Sequence, residues 1–223
     1  MAGLGMLPFA LAMLVFPQVA RRLSTRLDSR RLLSIGLAVV ALGNLAMVFV
    51  AAQPGLPALV LAMALLGTGG GLLNGETQKA IMGTVPPHRA GMASGISTTA
   101  RFTGILMGFA GLGAVLAGTT RSALQQAMPA AHLPLDAQLV DRIVAGDLQR
   151  ALQAYPADVA ATVTGIARMA YQQGFAQAFL VAGVAAALAA LLVWLGMRRT
   201  DTAAGTRTGD DAQRAPAMRV GMR

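Results

Sequence analysis

Few residues in this chain could do chemistry, and those few lie in apolar surroundings. Arg101 stands ten residues into an uncharged stretch that begins near Gly91, roughly 15 Å along a helix rising 1.5 Å per residue. A charge so deep in an apolar run usually faces a cavity or a partner. It could bind an anionic group, neutralise a buried carboxylate, or snorkel back toward water. Glu76 is the only carboxylate inside or bordering such a run. It could exchange a proton, or simply pair with Lys79 at i, i+3. Asn74, just before it, is a weaker candidate for lining a polar path.

Other chemistries find no constellation. The chain has no Cys and two His, which removes disulfides, thiolate nucleophiles and cysteine metal sites. His88 follows Pro86-Pro87 on one side of an apolar run, and His132 lies on the other side, so they cannot share a hydrolytic site; we expect no catalytic residue, metal or cofactor. Gly67, Gly69, Gly70, Gly71 and Gly75 invite comparison with a dinucleotide loop, but they lie inside an apolar run with no strand before them and no acidic ribose partner after them. Their spacing suits close helix packing better: Gly67, Gly71 and Gly75 recur every four residues, as do Gly91 with Gly95 and Gly104 with Gly108. We therefore expect these seven glycines to pack helices together.

The elements that must position these residues follow from composition. Of 223 residues, 55% are hydrophobic and 12% charged, with a net charge of +9 and a mean hydropathy of +0.60. Soluble domains carry about 25% charged residues. A nucleic-acid binder would cluster its basic residues on a folded face; here they sit between apolar runs, so no nucleic-acid partner is expected. A membrane helix needs roughly 20 mainly apolar residues. Five such runs predict an all-α, polytopic membrane bundle with spans at about 1–20, 32–52, 58–84, 91–118 and 175–197. The first run has no charge before Arg21, which excludes a cleavable signal peptide.

The connections alternate in charge. Five Arg occupy residues 21–31, Lys79 and Arg89 flank the third connection, and six Arg follow Met197, whereas residues 53–57 have no charge and residues 119–174 balance four Arg with four Asp. Basic connections stay on the cytoplasmic side. The amino terminus is thus expected outside and the carboxyl terminus in the cytoplasm. In the outer segment 119–174, Leu139, Val140, Ile143, Val144, Leu148 and Leu152 describe one amphipathic helix, with Asp136 as its N-cap. A second short helix around Val159, Val163, Ile166 and Met169 leads to the last span after Tyr155-Pro156. Residues 200–223 lack periodicity and read as a disordered tail.

Two stretches resemble a known family. Leu7-Pro8-Phe9, Pro17 and the basic loop Leu23-Ser24-Thr25-Arg26-Leu27-Asp28-Ser29-Arg30-Arg31-Leu32-Leu33 with Gly36 resemble a helix pair of the major facilitator superfamily and its signature cytoplasmic loop. Thr25 and Asp28 stand where that loop usually has an acidic residue and a glycine, while Arg26, Arg30 and Arg31 remain. Val85-Pro86-Pro87-His88-Arg89-Ala90-Gly91-Met92-Ala93-Ser94-Gly95, continuing to Arg101-Phe102-Thr103-Gly104 and Gly108, resembles the fourteen-helix drug/proton antiporter branch. The resemblance implies an inner-membrane carrier that exports small lipophilic molecules with the proton as coupling ion. Five spans correspond to the last five of fourteen, so it also implies a carboxyl-terminal portion of a longer carrier, partnered by an amino-terminal half. The alternative is a membrane scaffold that does not transport, or an inactive remnant.

Overall fold

Local signals place most helix boundaries. In the computed structural model, which describes the backbone of residues 2–53, 55–131, 137–152 and 156–214 and the side chains of those residues except 2–6, 137, 149, 151 and 197–214, seven α-helices and one 3-10 turn account for nearly all of the chain. Helix α1 is Ala2–Leu23, and α2, Ser29–Ala52, follows Asp28 in extended N-cap conformation. Helix α3, Leu56–Met82, opens with Pro57 in its first turn, where the missing N–H would have no partner anyway. The 3-10 turn Pro87–Arg89 leads into α4, Ala90–Ala130. Then come α5, Ala137–Val144, α6, Leu148–Leu152, and α7, Ala157–Arg214. The described residues form no strand.

Four helical stretches are long and apolar enough to cross a bilayer: Ser29–Ala52, Leu56–Met82, Pro87–Ala130 and Ala157–Gly196. The first run forms the 22-residue α1, which packs along α3. The helices stand in the lateral order α1, α3, α2, α7, α4. The row curls, so that the start of α4 returns to α3, where Ser97 Oγ and Gln78 Oε1 lie 3.3 Å apart.

Contacts at its two ends gather the charges unequally. At one end Ala20, Leu32 and Leu72 close a small core with Phe16 and Leu23, and the Arg30 guanidinium lies 4.2 Å from the Trp194 ring. These contacts bring the end of α1, the start of α2, Leu72 of α3 and the last span's end together. The other end joins Met47, Val50 and Ala51 of α2 to Gln172, Phe175 and Phe179 of α7.

Beyond that second end, α4 and α7 continue past any bilayer. At 41 residues, α4 is about 60 Å long, twice the hydrocarbon thickness of about 30 Å. Its extension carries Leu124 and Met128, both almost fully buried against Leu139, Val140 and Ile143 of α5 and Val163, Ile166, Ala167 and Ala170 of α7. Tyr171 donates its hydroxyl to the carbonyls of Ile143 and, at 3.2 Å, Val144, satisfying the end of α5. Arg121 pairs with Asp141. This cap is built like a small soluble domain.

The cap and tail depart from expectation in three ways. The outer segment's second short helix is the first half of α7, because Pro156 starts that helix and no proline follows before Pro216. The single amphipathic helix is two, α5 and α6, because Gly146 adopts φ +86°. Its N–H donates to Ile143 O at 2.9 Å and that of Asp147 to Arg142 O at 3.0 Å, a left-handed helix stop that glycine makes easily. Lastly, α7 stays helical to Arg214, through much of the segment expected to lack order; adding one residue to an existing helix is far easier than starting one. His132, the expected N-cap Asp136 and Tyr155 lie outside the described residues.

Candidate functional site

The glycines of α3 decide how its neighbours approach. A Cβ at Gly67 would strike the Phe9 carbonyl and stand 2.9 Å from the Ala12 Cβ; one at Gly71 would stand 3.0 Å from the Phe16 Cβ and 3.1 Å from Pro17 Cδ. Helix α1 thus lies directly on that stripe. Gly75 meets nothing within 4 Å, contrary to expectation. Each four-residue step turns the helix about 40° beyond a full turn, so the third glycine has rotated away from α1. Spacing also missed the opposite face, where Gly69 meets Val40 Cγ2 at 2.6 Å, and Gly36 and Gly43 of α2 receive Leu73 and Leu66, each at 2.9 Å. Gly36 and Gly43 are seven residues apart, a signal available in the sequence.

Helix α4 inverts this arrangement. None of its residues from 91 to 119 is buried, and Gly91, Gly95, Gly104 and Gly108 all face open space. They were expected to pack like Gly67 and Gly71. They do not, because α4 is held at its ends, by Ser97 against Gln78 and by the cap. Near the cap Gly174 of α7 is the close contact, against Thr120 and, at 2.9 Å, Leu116.

An apolar recess lies between the end of α3 and the start of α4, lined by Ile81, Val85, Met92, Ile96 and Ala100. Starting from the contact of Gln78 with Ser97, the next turn inward on the same side of each helix brings Asn74 on α3 and Arg101 on α4. Both are exposed, and the Arg101 guanidinium has Phe102, 5.8 Å away, as its aromatic neighbour.

Glu76 lies elsewhere. It is 3% exposed, one turn beyond Leu72 on the side of α3 that meets α1 and α2. One carboxylate oxygen sits 3.9 Å from Lys79 Nζ, and the other has no hydrogen-bond partner among the described residues. Glu76 is thus buried, whereas Asn74 and Arg101 are exposed. In the signature loop, Asp28 makes no side-chain cap, Arg26 donates its N–H to Leu23 O in a turn, and Arg31 is exposed. Arg30 rests on Trp194, a contact between residues 164 apart that only the fold reveals.

Similarity to known proteins agrees with this architecture. Residues 1–128 match the family described as Major Facilitator Superfamily. "Multidrug resistance protein Stp" of Mycobacterium tuberculosis is 36% identical over 132 residues, 57% of this chain and 24% of its own length. "Multidrug efflux pump LfrA" of Mycolicibacterium smegmatis is 27% identical over 198 residues, 89% of this chain and 39% of its own. "Uncharacterized transporter YebQ" of Escherichia coli is 33% identical over 102 residues, 46% of this chain and 22% of its own. The matched stretches thus span well under half of each relative. A family match over more than half of the chain, on helices of bilayer-crossing length, makes this a multi-pass membrane protein that belongs to the Major Facilitator Superfamily.

Proposed function

We propose that these helices form part of a proton-coupled carrier that exports drugs or other small lipophilic molecules across the inner membrane, with the amino terminus outside and the carboxyl terminus in the cytoplasm. One observation carries this reading: exposed Asn74 and Arg101 lie on apolar helices long enough to cross a bilayer, inside the stretch that matches a transporter family. Relatives named for multidrug efflux support the substrate class. Apolar walls hold a lipophilic solute, and a few polar groups orient it. Further spans of the carrier complete the path. Glu76, with one oxygen unpartnered, takes and releases the coupling proton.

Reconstituted vesicles loaded with a lipophilic fluorescent cation test this. Efflux should follow an imposed pH gradient, Arg101→Ala should abolish it while insertion persists, and Glu76→Gln should alter its pH dependence. Efflux indifferent to the gradient sinks proton coupling; no efflux under any gradient leaves the scaffold reading.

A further inference from the structure

We infer that the exposed side of α1, together with the arginines that end it, is a binding site for one anionic phospholipid. Residues 18–26 surround a recess of about 760 Å³, lined by Arg21, Arg22 and Arg26 with Val19 and Leu23 as its apolar part. All three arginines are exposed. The ion pairs among the described residues involve Lys79, Arg121 and Arg150, so these arginines meet no carboxylate there, not even that of nearby Asp28. Nor does the turn need their charges. The Ser24 hydroxyl donates to Arg21 O at 3.0 Å and that of Thr25 to Arg22 O at 2.7 Å, which satisfies the last carbonyls of α1 and leaves the guanidiniums free.

The helix leading to the recess supplies an apolar track. Leu11, Val15, Val19 and Arg22 succeed one another at four, four and three residues, which sets them on one side of α1. The three apolar residues are exposed, whereas Ala12 and Ala20 are buried. Helix α1 lies along α3 from Phe9 at Gly67 to Pro17 at Gly71, and α3 is long and apolar enough to cross a bilayer. Arg21 and Arg22 come one turn after Pro17, where the apolar run ends and headgroups begin. The track therefore lies in hydrocarbon and finishes in three positive charges. An anionic phospholipid has the complementary form, with an acyl chain for Leu11, Val15 and Val19 and a phosphate at its end for the guanidiniums, which hold phosphate bidentately. Basic recesses at the ends of membrane helices take such headgroups. A free phosphate would leave the track uncovered, and the same face of a second copy would set arginine against arginine. The inference concerns how α1 meets the bilayer surface, and it holds whatever the carrier moves.

Native mass spectrometry of the full chain, released from detergent with graded amounts of lipid, counts what stays bound. The probes are phosphatidylglycerol and phosphatidylcholine with identical acyl chains. The first phosphatidylglycerol should bind about ten- to a hundredfold more tightly than the first phosphatidylcholine, since an arginine at headgroup level contributes about fivefold. Arg21→Gln, Arg22→Gln and Arg26→Gln should each loosen phosphatidylglycerol about fivefold and leave phosphatidylcholine as it was. Arg89→Gln removes an exposed charge at the same end of the bundle and should change neither. These side chains are exposed, so the variants keep the fold, and helical circular dichroism checks this. Equal affinity for the two lipids overturns the inference. So does a loss in Arg89→Gln as large as in Arg22→Gln, which would reduce the preference to net charge. Displacement of the lipid by inorganic phosphate or glycerophosphoglycerol overturns it as well, because the recess would then be an ion site to which the track adds nothing.

Discussion

Helices α3 and α4 both carry glycines four residues apart, and the two helices meet opposite surroundings. On α3, Gly67 receives α1 at a distance no other side chain would allow, Gly71 receives it where an added Cβ would be crowded, and Gly69 receives α2. On α4, Gly91, Gly95, Gly104 and Gly108 meet nothing, and a guanidinium stands exposed among them. Small residues permit a close approach without specifying who approaches. The lateral order of the helices decides that. Helix α3 stands between two neighbours, whereas α4 ends the row and is anchored at its start and at the cap. The closed glycine face makes the bundle; the open one is where function is to be sought.

The sharpest way to test this contrast is to remove the firm seat of α4. Ile143 is fully buried in the cap, and Ile143→Ala should cost about 2–5 kcal/mol. Hydrogen exchange should rise in residues 120–130 and in the first half of α7, with α1, α2 and α3 still protected. Exchange rising equally everywhere would mean that cap and bundle are one cooperative unit and the contrast is false. Next comes the glycine contrast itself. Gly67→Val should destabilise by about 1–3 kcal/mol through overpacking against α1, whereas Gly104→Val should stay within about 0.5 kcal/mol, as surface changes do. Thermal unfolding in one detergent compares them, and similar midpoints would break the comparison.

Smaller effects sharpen it further. Tyr171→Phe removes the hydroxyl that the carbonyls of Ile143 and Val144 accept, and should cost about 1 kcal/mol, read as faster exchange at the end of α5. Gly108→Ala should act with opposite sign, a gain of about 0.5–1 kcal/mol, because alanine suits a helix interior better than glycine. A loss there would show that something in this chain already packs on α4.

Much of the architecture was legible in the residues. The apolar runs predict where the long helices lie, because a bilayer demands an unbroken run and charges end it. The amphipathic pattern from Leu139 to Leu152 predicts a docked outer helix, and Leu139, Val140 and Ile143 are indeed core residues. The break at Gly146 was within reach, since a glycine just past an amphipathic run is a common helix stop. The lengths of α4 and α7 were harder to read, because hydropathy marks where a helix leaves lipid and not where it stops being helical.

The candidate site divides in the same manner. Residue type and depth alone singled out Arg101, Glu76 and Asn74, because a polar group inside an apolar run is expensive wherever the run packs. Which of them are buried and which exposed came from tertiary structure. Asn74 and Glu76 are two residues apart, so a helix turns them to opposite sides, and only the neighbours of α3 determine that one side is buried and the other exposed. Likewise the sequence by itself determined the kind of the apolar helices, since that depends on local composition. The order in which they stand, the closed face of α3 and the open face of α4 depend on contacts between residues far apart in the chain, such as Arg30 with Trp194, and only the tertiary structure decided them.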